Sequence, residues 1–485
     1  MTSETPSRRV FLADFGLGFA GLALGSLLRR EAAADGGGES PKVAHFPPRA
    51  RSVIWIFNSG GYSHLETFDP KPALNRYAGK TFDETPFPNP TRSSLHAQRS
   101  RSVLSPELEK QKPPQGRILP LQVGFRKHGQ SGIEISDWWP HLAECVDEIA
   151  FVRSMYTTDN DHAAEKQIHT GRHRLDELQP GLGAWVSYGL GALNQNLPQY
   201  VVLSGAFNSS TRPSISANYL GPRHGGVPLA LDPRDPLPYG TRDRDVPAEA
   251  QRNEYELIGE LNRLRGVNYP DDPGVLARIR RYELAFGMQA AVPEAVALGS
   301  ESEETRRLYG LDRPETREAG ERFLAARRLV ERGVRFVQVY PIRPGAWDAH
   351  ENLRSNHSKR CLAADKPVAG LLHDLRRRGL SEDVVVVFCT EFGRTPGLDG
   401  REEKKAGRGH HPHGFTVWLW GAGLKRGVVH GATDELGYHG EPGHYVTDLH
   451  ATVLHLLGLD SHRLDFPGRR RLRIDHGDVI RPILA

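Results

Sequence analysis

Cysteine is scarce. The three in this 485-residue chain, Cys145, Cys361 and Cys389, allow at most one disulfide and leave one thiol over. No C-x-x-C pair exists, which argues against a thiolate zinc site, and Cys145 and Cys389 lie in apolar stretches where a thiol packs as a small hydrophobe. An excess of one charge is also missing. There are 63 Lys and Arg against 59 Asp and Glu, a net +4, so no global field points to nucleic acid. The local run Arg469, Arg470, Arg471 and Arg473 has no interleaved aromatic for stacking on bases and reads as a solvated face. Hydrophobic residues make up only 38%, which excludes a multi-span membrane protein, and no repeat of 20 to 50 residues suggests a solenoid or propeller.

What is present begins at the N-terminus. Ser7-Arg8-Arg9-Val10-Phe11-Leu12 is a twin-arginine pattern, followed by a Gly/Ala/Leu stretch and a small-residue site at Ala32-Ala33-Ala34. Residues 1–35 are therefore expected to be a twin-arginine signal peptide, with a periplasmic or secreted mature chain that has no spanning segment. Because that route carries proteins already folded, often around a metal or cofactor, the leader itself points weakly to a bound ion.

Residues 36–50 read as a linker. Apolar runs then predict strands at RSVIWIF, IAFVR, QYVVLS, VRFVQVY, VVVVFC and FTVWLW, alternating with helical stretches near 138–146, 163–168, 361–378 and 446–457. The expected fold is α/β, a mostly parallel sheet covered by helices on both faces, over residues 51–460 with a C-terminal tail at 461–485. Residues 80–132, rich in Pro, Arg, Ser and Lys, read as a surface insertion, and 205–330, with helical segments at 249–264, 273–288 and 314–332, as a mainly helical cap.

Polar clusters sit beside the predicted strands, where open α/β sheets collect ligands. Asn58, Ser63 and His64 follow RSVIWIF. Asp348 and His350 follow VRFVQVY, and carboxylate oxygen with imidazole nitrogen suits a hard or borderline divalent ion, although Asp348 could instead cap the next helix. Glu391 and Arg394 follow VVVVFC, as a metal ligand and an anion-binding fork or as an internal ion pair. His410, His411 and His413 lead into FTVWLW; His410 is the first candidate ligand and His411 the second. Asp161, His162 and Arg172 flank a helix start after IAFVR, where an anion or an N-cap fits. Asp448 and His450 read as capping and packing residues.

Together GGYSHLETFDPKP, MYTTDNDHAAEKQIHTGRH, WDAHENL, TEFGRTP, GRGHHPHGFTVWLWGAGLKRG, GATDELGY and DLHATVLHLLGLD resemble an exported bacterial family of unassigned function in the alkaline phosphatase and sulfatase superfamily. The resemblance implies an alkaline-phosphatase-like sheet with a divalent ion, zinc, calcium or manganese, at its strand ends, and an anionic ester or glycan as partner. On that reading Asp348, His350, Glu391, His410 and His411 hold the ion. His162, His64 and Arg394 act on the substrate, and Asn58, Ser63 and Arg172 bind it.

Two departures follow from the same resemblance. Thr157–Arg172 resembles a sulfatase nucleophile loop but carries no Cys or Ser where the nucleophile would fall, so His162 attacks or binds metal, or another group such as water supplies the nucleophile. Gly409 stands where the family usually has Asp. The resulting expectation is a metal-dependent sulfatase- or phosphatase-like hydrolase, the alternative a non-catalytic envelope or glycan-binding protein on the same fold.

Overall fold

The structure is a computed structural model. It describes residues 44–100, 116–204, 215–237, 291–399 and 405–485, with scattered helical positions between 249 and 288. The N-terminal leader lies outside the described residues, as do most of the predicted helices at 249–264 and 273–288.

The strands, in chain order, are β1 (Ser52–Phe57), β2 (Phe125–His128), β3 (Ile133–Ser136), β4 (Ile149–Tyr156), β5 (Tyr200–Leu203), β6 (Val227–Leu229), β7 (Phe336–Val339), β8 (Val384–Cys389), β9 (Gly393–Leu398), β10 (Arg408–His411), β11 (Phe415–Gly421), β12 (Val428–His430), β13 (Ala432–Thr433), β14 (Gly440–Glu441) and β15 (His444–Tyr445). Nine of them form the main sheet in the order β12-β4-β11-β8-β1-β7-β5-β6, with β15 also on β4. β8, β1, β7, β5 and β6 pair in parallel, and β4, β12 and β15 run the same way. β11 alone is reversed, antiparallel to both of its neighbours, β8 and β4. The sheet is thus mixed but mostly parallel.

Parallel strands buried on both faces need apolar residues at consecutive positions, and RSVIWIF and VVVVFC supply them. Ile54, Ile56, Val386 and Phe388 join one core layer, while Val53, Trp55, Phe57, Val385 and Val387 join the other. The first layer is covered by α3 (Pro314–Glu331) and α4 (Leu353–Arg377), through residues such as Phe323, Leu324, Leu371 and Leu375. The second is covered by α2 (Leu182–Leu190) and α5 (Val446–Leu456), with α1 (Ala164–Thr170) beside them through Ile168. α3 starts with Pro314 at its first turn and α4 ends on Arg376 and Arg377, each suited to its helix terminus.

Two elements within the stretch expected as a cap belong to this layered core. α3 turns an apolar face to the sheet immediately before β7, and β6 extends the sheet edge beyond β5. The described ends of the expected 80–132 insertion are likewise anchored. Ile118 bridges Gly397, and Ile118 and Leu119 are buried. All three cysteines are free and buried.

Candidate metal centre

The direction of β11 decides where the histidines go. Loops that leave β1, β4, β7 and β8 emerge at their carboxyl ends; because β11 runs the other way, the segment that enters it, His410 to Gly414, emerges at the same edge. Five chain segments therefore converge, and glycine lets them touch. Gly60 has φ +114°, and a Cβ there would lie 2.5 Å from the Asp348 nitrogen; a Cβ on Gly61, at φ +73°, would lie 2.3 Å from the Phe392 ring.

Asp348 is the hub. Its Oδ1 lies 3.1 Å from His350 Nε2 and 3.4 Å from His410 Nε2 and accepts from the Arg394 guanidinium at 2.7 Å, while Oδ2 lies 3.2 Å from His162 Nε2. His162, Asp348 and His410 each place one ligand atom within 4.8 Å of the others. Burial pushes the Asp348 carboxyl up, but hydrogen bonds from His162, His350 and His410 and the Arg394 charge outweigh it and hold the group far below the usual carboxylate range.

The imidazoles are oriented from behind. His410 Nδ1 faces the Asn160 carbonyl at 2.8 Å and His350 Nδ1 faces Asp399 Oδ2 at 2.5 Å, so a ring that keeps its proton on Nδ1 has Nε2 available as a ligand in place of its hydrogen bond to Asp348. Those two Nε2 atoms stand 3.0 Å apart. Burial, joined by the charges of Arg394, His162 and His350, outweighs the Asp348 hydrogen bond and lowers the pKa of His410, which favours its neutral form. Imidazole nitrogens within reach of one carboxylate oxygen are a donor set that fits a divalent cation.

His162 bridges carboxylates, with Nδ1 3.2 Å from Glu391 Oε1 and Nε2 on Asp348. Burial lowers its pKa, yet hydrogen bonds to the two carboxylates, with their charges, carry the net value up to about 10. Glu391 is wholly buried and accepts from the Gly60 amide at 2.7 Å and the Thr390 hydroxyl at 3.1 Å. Behind it Glu165 accepts from Ser59 and Tyr340, and burial, with the nearby Glu391 charge, raises its pKa to about 8.

Of the residues expected from the sequence, the structure gathers Asp348, His350, Glu391, His410 and His162. Others lie elsewhere. Arg394, expected to hold an anion, is fully buried, and its guanidinium donates to the carbonyls of Gly60, Gly61 and Arg408 and to Asp348, so it positions the hub and meets no solvent-borne anion. His411 is buried with Nε2 2.6 Å from the Tyr438 carbonyl, because its neighbour His410 takes the opposite face of β10. His64 is buried, stacked against His411 and bound through Nε2 to the Gly437 carbonyl; burial lowers its pKa to about 4. Ser63 donates to Glu66, and Asn58 donates to the Cys389 carbonyl at 3.2 Å, both within the core. Arg172 forks onto Asp475 in the C-terminal tail.

Sequence reasoning missed Asp399 and Glu165. Asp399 follows a Pro/Gly-rich stretch that hides strand β9, and Glu165 reads as an ordinary first-turn helix acid. Gly409 has space around it, since the nearest atoms to a Cβ there would be those of Thr395 and Asp399 at 3.5–3.7 Å; the Asp399 carboxylate stands beside the position that a side chain at 409 would take.

Residues 50–484 match the family described as "Protein of unknown function (DUF1501)", and the chain belongs to that family. No protein of curated function matches it. Among solved structures it is similar to the lipoteichoic acid synthase LtaP from Listeria monocytogenes, at 10% identity, 91% of this chain and 80% of that one, and a TM-score of 0.38. A protein in the alkaline phosphatase superfamily from Vibrio parahaemolyticus matches at 8% identity, 93% and 79% coverage and a TM-score of 0.38. The PsFucS1 sulfatase from Pseudoalteromonas sp. matches at 11% identity, 96% and 75% coverage and a TM-score of 0.35. Scores at this level carry neither substrate nor reaction.

Proposed function

We propose that this DUF1501 family member is an exported, metal-dependent hydrolase of anionic esters, sulfate or phosphate, including esters carried on polysaccharide. The observation that supports it most is the convergence of Asp348, His162, His350 and His410 at the carboxyl edge of the sheet. The motif resemblance to the alkaline phosphatase and sulfatase superfamily and the twin-arginine pattern at Arg8-Arg9 support the ester class and the export.

On this reading Asp348, His162, His350 and His410 hold the ion, which when bound supplies Lewis acidity and offsets charge developing on the ester oxygens. The chain's own residues keep that site in order. Asn160 and Asp399 fix the ring orientations of His410 and His350, Glu391 holds His162, and Arg394 holds Asp348. The side chains of Asp348 and His162 are 32% and 39% exposed, so they form the mouth that a substrate reaches, whereas Glu391 is closed to it.

Metal content and ester hydrolysis of the purified mature chain, beside Asp348→Ala/His410→Ala, test the proposal. The expected result is loss of one divalent ion per chain and of sulfatase or phosphatase turnover in a variant that keeps its circular dichroism. Unchanged metal content in the variant refutes the ligand set. Metal bound at this centre without turnover on any sulfate or phosphate ester refutes the hydrolase and favours a glycan-binding protein.

A further inference from the structure

A second group of histidines lies apart from the Asp348 hub. His96 is on the short helix Ser94–Arg99, His413 is in the turn between β10 and β11, and His439 is in the turn between β13 and β14. One nitrogen from each lies within 4.8 Å of the other two. The ring of His413 is centred 4.5 Å from that of His96 and 5.6 Å from that of His439.

His413 and His439 are poorly satisfied for their depth. His413 is 4% exposed, yet among the described residues its Nδ1 has no hydrogen-bond partner and its Nε2 finds only the Ser100 hydroxyl at 3.5 Å. His439 is 5% exposed; its Nε2 is 3.4 Å from the Ser93 hydroxyl and its Nδ1 3.7 Å from Asp434 Oδ2. His96 Nδ1 is 3.2 Å from the Tyr438 hydroxyl. Buried imidazoles ordinarily make close hydrogen bonds, so His413 and His439, which approach His96 and each other while making long ones, are short of a partner. A cation shared among them would supply it.

The scaffold around them is fixed independently. Arg99, one turn beyond His96, donates to the carbonyls of His413 and Gly440, and so ties the helix bearing His96 to the two turns bearing the other histidines. Asp434 accepts from the backbone amides of Leu436, Tyr438 and His439 and faces the His439 ring, the position of a carboxylate that orients a ligating imidazole.

We propose that His96, His413 and His439 form a second metal site that takes a borderline divalent cation of the zinc class through three imidazole nitrogens. Three neutral nitrogens and no first-contact carboxylate favour zinc, nickel or copper over calcium or manganese. The site is a staple. It pins residues 94–99 onto the turn between β10 and β11, and it does not depend on the Asp348 centre being catalytic.

The test is zinc stoichiometry by elemental analysis of the full mature chain saturated with zinc and desalted, in wild type, His96→Ala, Asp348→Ala/His410→Ala and the triple combination. His96 is partly exposed on a short helix, so its removal leaves the core intact. The expected result is loss of one zinc ion with His96→Ala and of a further one in the triple combination. Cobalt substitution of Asp348→Ala/His410→Ala gives a second reading, a visible ligand-field spectrum that disappears when His96→Ala is added. Zinc content unaffected by His96→Ala, or no cobalt spectrum in the double variant, overturns the site. Loss of zinc with His96→Ala but none with Asp348→Ala/His410→Ala would keep this site and refute the hub.

Discussion

Glu165 keeps a proton because of where it lies. It is buried against Glu391, and its pKa of about 8 stands well above that of an unfolded glutamate, near 4.5. A carboxyl raised in this way contributes stability that is fully present below the unfolded value and is lost as pH rises toward 8. Urea midpoints should therefore fall between pH 5 and pH 8.5 in the wild type, and Glu165→Gln should flatten that slope while keeping acceptor and donor capacity toward Tyr340 and Ser59. An unchanged slope would mean that Glu165 titrates normally. Asp399 works through the ring it holds. Asp399→Asn should weaken zinc binding at the Asp348 centre by about 10–100-fold, read by chelator competition, with no loss of folded structure. Residue types were legible in the sequence here, but burial was not. Arg394 follows Glu391 in a stretch that suggests an anion fork, and only the packing of Gly60, Gly61 and Arg408 around it shows that every direction into solvent is closed.

Elements were legible where the physics is local. Unbroken apolar runs gave β1, β7, β8 and β11, and the apolar period gave α3, α4 and α5, because burial on both faces or one face writes itself directly into the pattern. Strand direction leaves no such mark. FTVWLW reads the same whether parallel or reversed, and the reversal of β11 is what brings His410 to the edge occupied by Asp348. The hairpin of β9 and β10 was also hidden, since Gly393–Leu398 contains Gly and Pro and Arg408–His411 is polar. That hairpin is held by Arg408, whose wholly buried guanidinium pairs with Glu66 at 2.7 Å and donates to the carbonyls of Thr395, Pro396, Leu119 and Pro120. Removing one partner of a buried pair leaves the other charge uncompensated. Arg408→Met should cost about 3–5 kcal/mol in chemical denaturation, and a cost below about 1 kcal/mol, the scale of an exposed pair, would show that the pair is solvated.

At the scale of the whole molecule, the sheet joins segments far apart in the chain. β1 pairs with β8, and β4, which ends at Tyr156, finds β11 only at Phe415. A chain truncated after Asp399 keeps β8 and β4 but has nothing to place between them, and should be aggregated or rapidly digested by protease where the full chain is resistant. The same topology sets a timetable during synthesis. At about 5–20 residues per second the ribosome needs on the order of ten seconds or more to reach β11 after finishing β4. Throughout that interval the apolar edge of β4 waits without its partner, an open invitation to mispairing. A chain of this topology would need a chaperone to shield that edge until the last third had emerged, and an exporter that accepted it only once folded would double as an inspection step on its assembly.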